Sequence, residues 1–372
     1  MRRRGTIFIV LFILIAAAIV GASRFLSSQP PLEFTVAVDP LAQNWLQEAV
    51  NSFNNSQPVV NTRRIIFNVT PIDDPVVWQG QHRWTPASHP DAWLAASSLS
   101  LRYALSSGLS VSNVTDSLAR TPLVWGGYVS RVDVLTTNGA RKLDWDLLAP
   151  TLANNDNWEL LGGQKDWQFV KLGFGQPGNK IGGLAALLSG AASYLKNADL
   201  SSAVLSQKAF RDWLLPVVKA KPSFSNSGIT GDPALAMASG GPSRIEIALF
   251  PEAQWLLNLQ GMNNQEEVRL SYPAYQFVLD FPLAIWSDTT PQASDRQTAV
   301  GLLNDWLNAE AQQATLPNYG LRPASSEPTA DNPLFKFGIP SGIELNPTLG
   351  QSITPPSANE LSGLIQWVDA NR

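Results

Sequence analysis

Three consecutive arginines, Arg2 to Arg4, precede an unbroken apolar run from Ile7 through Val20, and no further charge appears until Arg24. Such a pattern is an export signal, because the arginines hold the N-terminus in the cytoplasm while the apolar stretch enters the bilayer. The run, 17 residues from Thr6 to Ala22, lies between a signal-peptide core and a spanning helix of about 20 residues. Two fates are therefore open: cleavage after Val20-Gly21-Ala22, or retention as a transmembrane anchor. In both, everything after Ala22 folds outside the cytoplasmic membrane, so the expected localisation is extracytoplasmic.

That placement limits how the chain can be stabilised. It contains no cysteine, so neither a disulfide framework nor a lipid-modified N-terminal cysteine is available. With 372 residues, 44% hydrophobic, including 13 Trp and 15 Phe, the chain can bury more than one core. The net charge is -4 and falls to -7 once Arg2, Arg3 and Arg4 are lost with the signal, which argues against nucleic acid as a partner.

After a Ser/Pro-rich tether from Leu26 to Pro31, Glu33 to Val38 alternates like a strand and Asp39-Pro40 stops it. Leu41, Trp45, Leu46, Ala49, Val50 and Phe53 then recur at helical spacing, and Arg64 to Pro71 reads as a second strand. The opening is thus a β-α-β unit, the builder of parallel sheets. A Pro- and Trp-rich loop spans Asp73 to Pro90, and Asp91 to Ala95 is a short strand. Ala96-Ser97-Ser98 opens a helix that reaches Ser106 or Ser107. Further strands are expected at Phe169 to Phe174 and Ile245 to Phe250, with helices at Ile181 to Tyr194, Ser201 to Leu215, Ala234 to Met237 and Pro251 to Leu257. Two strands, Thr121 to Tyr128 and Phe277 to Trp286, carry an internal or flanking proline, Pro122 and Pro282. Proline cannot donate to a ladder, so these read as two crossings between lobes.

In this order the elements resemble the type II periplasmic solute-binding proteins, from about residue 33 to 327. The phrases that carry the resemblance are Pro90 to Ser98, Ala119 to Val124, Gly173-Phe-Gly-Gln-Pro-Gly178, Tyr272-Pro273 with Asp280-Phe-Pro282, and Tyr319 to Pro323. It looks closest to the extracellular solute-binding branch that includes molybdate-binding-like members. The resemblance implies an α/β fold of two lobes joined by two hinge strands, with a ligand in the interlobe cleft. Residues 33–121 and 283–327 would form lobe 1 and 122–282 lobe 2, with residues 328–372 an extension packing on lobe 1. It also implies the substrate-binding component of an ABC importer, with a permease or another membrane protein as partner. The alternatives are a membrane-anchored sensor or interaction protein reusing the fold, and an extracytoplasmic hydrolase or transferase.

Physical chemistry places the candidate ligand contacts. Helix N-termini expose unpaired N–H groups and partial positive charge, so a cleft into which helices point can hold a small polar ligand or an oxyanion. Asp39, Leu41 and Ala42 follow the first strand, where open α/β sheets place ligands. Ser97 and Ser98 open a helix, either as ligand contacts or as plain caps. The turn Gln176, Pro177, Gly178 and Asn179 and the helix start at Pro251 and Glu252 complete the set. Gly173 to Gly178 formally matches G-x-G-x-x-G, but Pro177 disfavours helix at Gln176, so a dinucleotide reading is rejected. His82 and His89 are the only histidines, and no catalytic motif, metal site or cofactor is implied. The pairs Asp73-Asp74, Asp144/Asp146 and Glu266-Glu267 read as solvated surface. Trp45, Trp78, Trp84, Trp93, Trp125, Trp255 and Trp286 read as core before ligand platforms.

Overall fold

In the computed structural model, which describes residues 30–80, 84–154, 156–222 and 232–371 together with Phe12 and Ile15, the opening β-α-β unit forms as its periodicity dictates. Strand β1 (Leu32–Val38) buries Phe34, Val36 and Val38, and the helix Gln43–Asn55 turns Trp45, Leu46, Ala49, Val50 and Phe53 onto it. After β2 (Val59–Val60), β3 (Arg63–Pro71) returns parallel to β1, register Leu32↔Ile65 to Val38↔Pro71. Strand β4 (Ala92–Leu94) joins the other side of β1 in parallel, and β5 (Val111–Thr115) closes the edge. The segment Asp73 to Pro90, expected as loop throughout, contains the short helix Asp74–Trp78, with Pro75 in its first turn where a missing N–H costs nothing.

The chain then passes through β6 (Ala119–Arg120) into a second sheet made of β7 (Leu123–Tyr128), β8 (Leu172–Gly173), β9 (Ile247–Pro251) and β10 (Val268–Ser271), in the order β10-β7-β9-β8. It returns by way of β11 (Tyr275–Gln276) to β12 (Leu283–Trp286), which inserts antiparallel between β4 and β5. The two proline-bearing crossings lie side by side. Thr121 N–H donates to the Leu279 carbonyl at 2.9 Å, and Leu279 N–H returns the bond to Thr121 at 3.0 Å. The Gln276 amide stands in for a ladder partner, accepting from Leu123 N–H at 2.7 Å and donating to Leu123 O at 2.9 Å. Pro122 and Pro282 need no donor here; their carbonyls accept from Glu252 and Ala95.

A third crossing was not read from the sequence. The helix Ala293–Asn308 packs on the first sheet, after which β13 (Arg322–Pro323) pairs with β6 and the helix Pro333–Gly338 packs on the helix Glu252–Asn263 beside the second sheet. The tail was expected on lobe 1, and this is corrected. Strand β14 (Gln351–Ser352) pairs with β11, Thr354 bridges Asp199, and Glu360 accepts from Leu205 N–H at 2.8 Å, all within the middle segment. The tail also bonds residues assigned to lobe 1, through Tyr103 Oη to Pro356 O at 2.6 Å, Asn332 to Asn318 at 2.9 Å, and Arg322 to the carbonyls of Glu344 and Leu345. No helix among the described residues is long and apolar enough to cross a membrane. The Thr6 to Ala22 run, on which the signal or anchor rests, lies outside the described residues apart from Phe12 and Ile15.

The helix Ile181–Leu195 is buried from Ile181 through Ser193, which explains its small-residue composition. Gly183 lies against the Gly175 backbone: a Cβ there would sit 2.1 Å from the Gly175 carbonyl oxygen. Gly183→Ala is therefore expected to lower stability by about 1–3 kcal/mol, since the loop at Gly175 must be pushed away. Urea denaturation measures this, and a parent-like midpoint would show that the loop yields freely.

Candidate ligand-binding cleft

Between the two sheets lies a cleft of about 470 Å³. The first-sheet side supplies the loop after β1, with Asp39 and Leu41, the first turn of the helix Gln43–Asn55, with Asn44, and the loop after β3, with Asp73. The second-sheet side supplies the start of the Ile181–Leu195 helix with its capping residue Lys180, the start of the helix Pro233–Gly240 at Asp232, and Gln254, Leu257 and Asn258 from Glu252–Asn263. Tyr319 completes the polar lining. Loops at the carboxyl ends of strands thus face helix N-termini, the arrangement in which α/β proteins hold ligands.

Among the described residues, two side-chain hydrogen-bonded ties cross the cleft. Lys180 Nζ sits between both oxygens of Asp73, at 2.8 and 3.0 Å, and Gln79 Nε2 donates to Gly178 O at 3.0 Å. The ion pair is partly solvated, with side-chain exposures of 41% and 28%, so it contributes roughly 0.2–1 kcal/mol. A tie of that size holds the lobes without locking them.

Asp39 is only 2% exposed. Burial pushes its carboxyl up to about 7; the N–H of Leu41, 3.0 Å away, pulls it down, and the Asp73 charge adds to the rise. Asp74, wholly buried behind it, is raised as well, first by burial and then by Asp39, although Ser100 and the N–H groups of Ala96 and Ser97 favour its charged form. Asp232 caps its helix by accepting from Ala234 N–H at 2.9 Å.

Of the residues expected to bind ligand, Asp39 and Leu41 line the cleft, and Ala42 is buried at the helix cap behind them. Ser97 is an N-cap, accepting from Leu99 N–H at 3.2 Å, and the N–H of Ser98 is taken by Asp280 from the second crossing at 2.7 Å; neither lines the cleft. Gln176, Pro177, Gly178 and Asn179 form a closed turn in which Gln176 O accepts from Asn179 and Lys180, so that their neighbours Gly175 and Lys180 face the cleft instead. Pro251 packs under Gly182, and Glu252 is buried in an ion pair with Arg322. The structure therefore does not bring the two serines and the Gln176–Asn179 turn together across the cleft.

The residues missed are Asn44, Asp73, Lys180, Asp232, Gln254, Leu257, Asn258 and Tyr319. The rule that found Asp39 also points to Asp73 at the end of β3. Its reading as solvated surface with Asp74 is corrected, since Asp74 is fully buried and Asp73 is paired across the cleft. Asp144 is also buried, accepting from Trp145 and Ala274 N–H groups. All seven tryptophans weighed as platforms are buried in the core. His89 stacks on Trp286, ring centroids 4.1 Å apart, while His82 lies outside the described residues; no group of potential metal ligands occurs among the described residues.

No known family model matches the chain, and no curated protein matches it by sequence. Solved structures do. The ABC substrate-binding protein Lmo0181 from Listeria monocytogenes, in complex with cycloalternan, is 11% identical with a TM-score of 0.57, over 92% of this chain and 95% of that one. The ferric binding protein from Campylobacter jejuni is 9% identical, TM-score 0.56, over 91% and 98%. The periplasmic binding protein AfuA from Actinobacillus pleuropneumoniae, with fructose-6-phosphate bound, is 13% identical, TM-score 0.55, over 91% and 98%. Their ligands differ, so no branch, the molybdate-binding-like one included, is singled out. What nearly full coverage at such low identity establishes is the fold: this chain has the two-lobed α/β architecture of the periplasmic substrate-binding proteins.

Proposed function

We propose that the protein is an extracytoplasmic solute-binding protein, the substrate-binding component of an ABC importer, tethered or exported by its N-terminal segment, and that it closes two lobes over a small polar solute. The observation that supports this reading is the cleft itself, lined from both sheets and tied across by Lys180–Asp73 and Gln79–Gly178. Its volume of about 470 Å³ suits a single metabolite. The amides of Asn44, Gln254 and Asn258 and the Tyr319 hydroxyl offer donors and acceptors, and Leu257, 50% exposed, offers an apolar contact. Binding suits these groups better than catalysis: Asp73 is held by Lys180, Asp232 caps a helix, and Asp39 is held by backbone N–H groups.

Mass spectrometry of small molecules retained by the purified protein identifies the solute. Added back to stripped protein, that solute is expected to raise the melting temperature and to reduce the radius of gyration in solution scattering, because it binds the closed form more tightly. A stripped protein that neither retains nor responds to any solute, with an invariant radius of gyration, overturns the reading.

A further inference from the structure

Lys180 is the one cationic side chain lining the cleft among the described residues, against three carboxylates, Asp39, Asp73 and Asp232. Its ammonium is already spent on Asp73, which grips it with both oxygens at 2.8 and 3.0 Å. We propose that the solute carries a cationic nitrogen, an amine or a guanidinium, which takes the place of the Lys180 ammonium between the oxygens of Asp73; this rests on the solute-binding role proposed above.

Charge decides against an anion. The N-termini of the Ile181–Leu195 and Gln43–Asn55 helices each offer about half a positive charge, together no more than one carboxylate takes away, and that of Pro233–Gly240 is already occupied by Asp232. To grip an anion, Lys180 would have to leave Asp73, placing a newly unpaired carboxylate beside the bound negative charge. A cation meets the opposite situation. The backbone of Lys180 is fixed as the helix cap, but its side chain is 41% exposed on a flexible stem, so its ammonium can swing into water at little cost. The seat it vacates already has the geometry for one ammonium, and Asp39 stands in the same cleft with no cationic side chain of its own bonded to it. The rest of the solute then meets the neutral groups of Asn44, Gln254 and Asn258 and the open face of Leu257. Lys180 is thus an internal competitor for the ligand's own cation and sets the charge selectivity of the cleft.

The test uses full-length protein stripped of retained solute, with arginine and 1,4-diaminobutane as cationic probes, and sulfate and glucose as anionic and neutral ones. Removing the tethered competitor with Lys180→Met is expected to tighten binding of a cationic probe about two- to six-fold in calorimetry, as expected when a competing internal state of that strength is removed. Asp73→Asn, which removes the seat, is expected to weaken the same probe about ten-fold or more. Melting curves without probe show whether each variant is folded. The proposal falls if Lys180→Met weakens sulfate binding, if both variants change cation affinity in the same direction, or if neither the parent nor Lys180→Met binds a cationic probe. A neutral or anionic solute retained by the parent, with closure in scattering, would leave the solute-binding role standing while this assignment falls.

Discussion

Arg322→Leu is expected to destabilise the folded protein by about 3–5 kcal/mol, the cost of removing one partner from a buried ion pair. Arg322 is 2% exposed, and its guanidinium is fully engaged. Nε and Nη2 form a fork on Glu252 at 2.7 and 2.9 Å, Nη1 reaches Glu327 at 2.7 Å, and the carbonyls of Leu345 and Glu344 accept at 2.7 and 2.6 Å. Glu252 has no exposure of its own and also accepts from Tyr272 Oη at 2.6 Å. Burial already raises the Glu252 carboxyl despite the arginine beside it; without Arg322 it must either stay charged in an apolar surround or take up a proton. The variant should therefore regain part of its stability on acidification, and Arg322→Leu with Glu252→Leu should recover most of the loss, because no unpaired charge remains. Urea denaturation of the two variants at neutral pH measures the loss and its recovery, and repeating it for the single variant at about pH 5 measures the gain on acidification. A single-variant loss below about 1 kcal/mol, the scale of a surface pair, would mean that water reaches this site. Arg322 joins β13 in the third crossing, the helix after β9 and the tail at 344–345, so it fixes how the tail approaches the second lobe.

The sequence was most legible where burial is one-sided. In β1 and the Gln43–Asn55 helix a single apolar face meets the core, so periodicity marks the elements, and Pro122 and Pro282 mark the crossings because a missing N–H is a local fact. The helix Ala293–Asn308 escaped notice because its buried face includes Arg296, which bonds Asp91 at 2.8 Å and Asp288 at 3.0 Å; a buried arginine erases the polar/apolar contrast on which the pattern depends. The cleft was half visible. Strand ends predicted Asp39 and Leu41, but Lys180 and Asp73 are 107 residues apart, and only the closure of one lobe on the other brings them together. The serine pair shows the same limit from the other direction. A helix start was correctly read at Ser97, yet the acceptor for the Ser98 N–H is Asp280, 182 residues away, and no local pattern reveals that this helix end is already satisfied.

Stability is also expected to fall as pH rises through the window from about 4 to about 7, with Asp39 responsible for much of the slope. Asp39 passes from an ordinary value of 3.8 to about 7 on folding, mainly through burial. Across that interval the folded protein holds a proton that the unfolded chain has released, so its stabilising effect is present below the window and is lost as pH climbs through it. At 1.36 kcal/mol per unit the change is at most about 4 kcal/mol. Asp74, raised by burial and by Asp39, acts with the same sign. So do Glu246, Glu252 and Asp280, each raised chiefly by burial, whereas Asp146, Asp199 and Asp288 are lowered and act oppositely at more acid pH. Comparing the parent with Asp39→Asn isolates the one group. Asparagine keeps an oxygen for the Leu41 N–H and loses only the long 3.4 Å contact from Asp74 N–H. The variant should match the parent near pH 4 and exceed it by about 1–3 kcal/mol above pH 7, where the parent carries a buried charge whose desolvation outweighs its N–H contacts and the pull of Lys180. Denaturation curves that stay parallel across the range would mean that Asp39 is ionised throughout and that the floor of the cleft is wetter than its burial indicates.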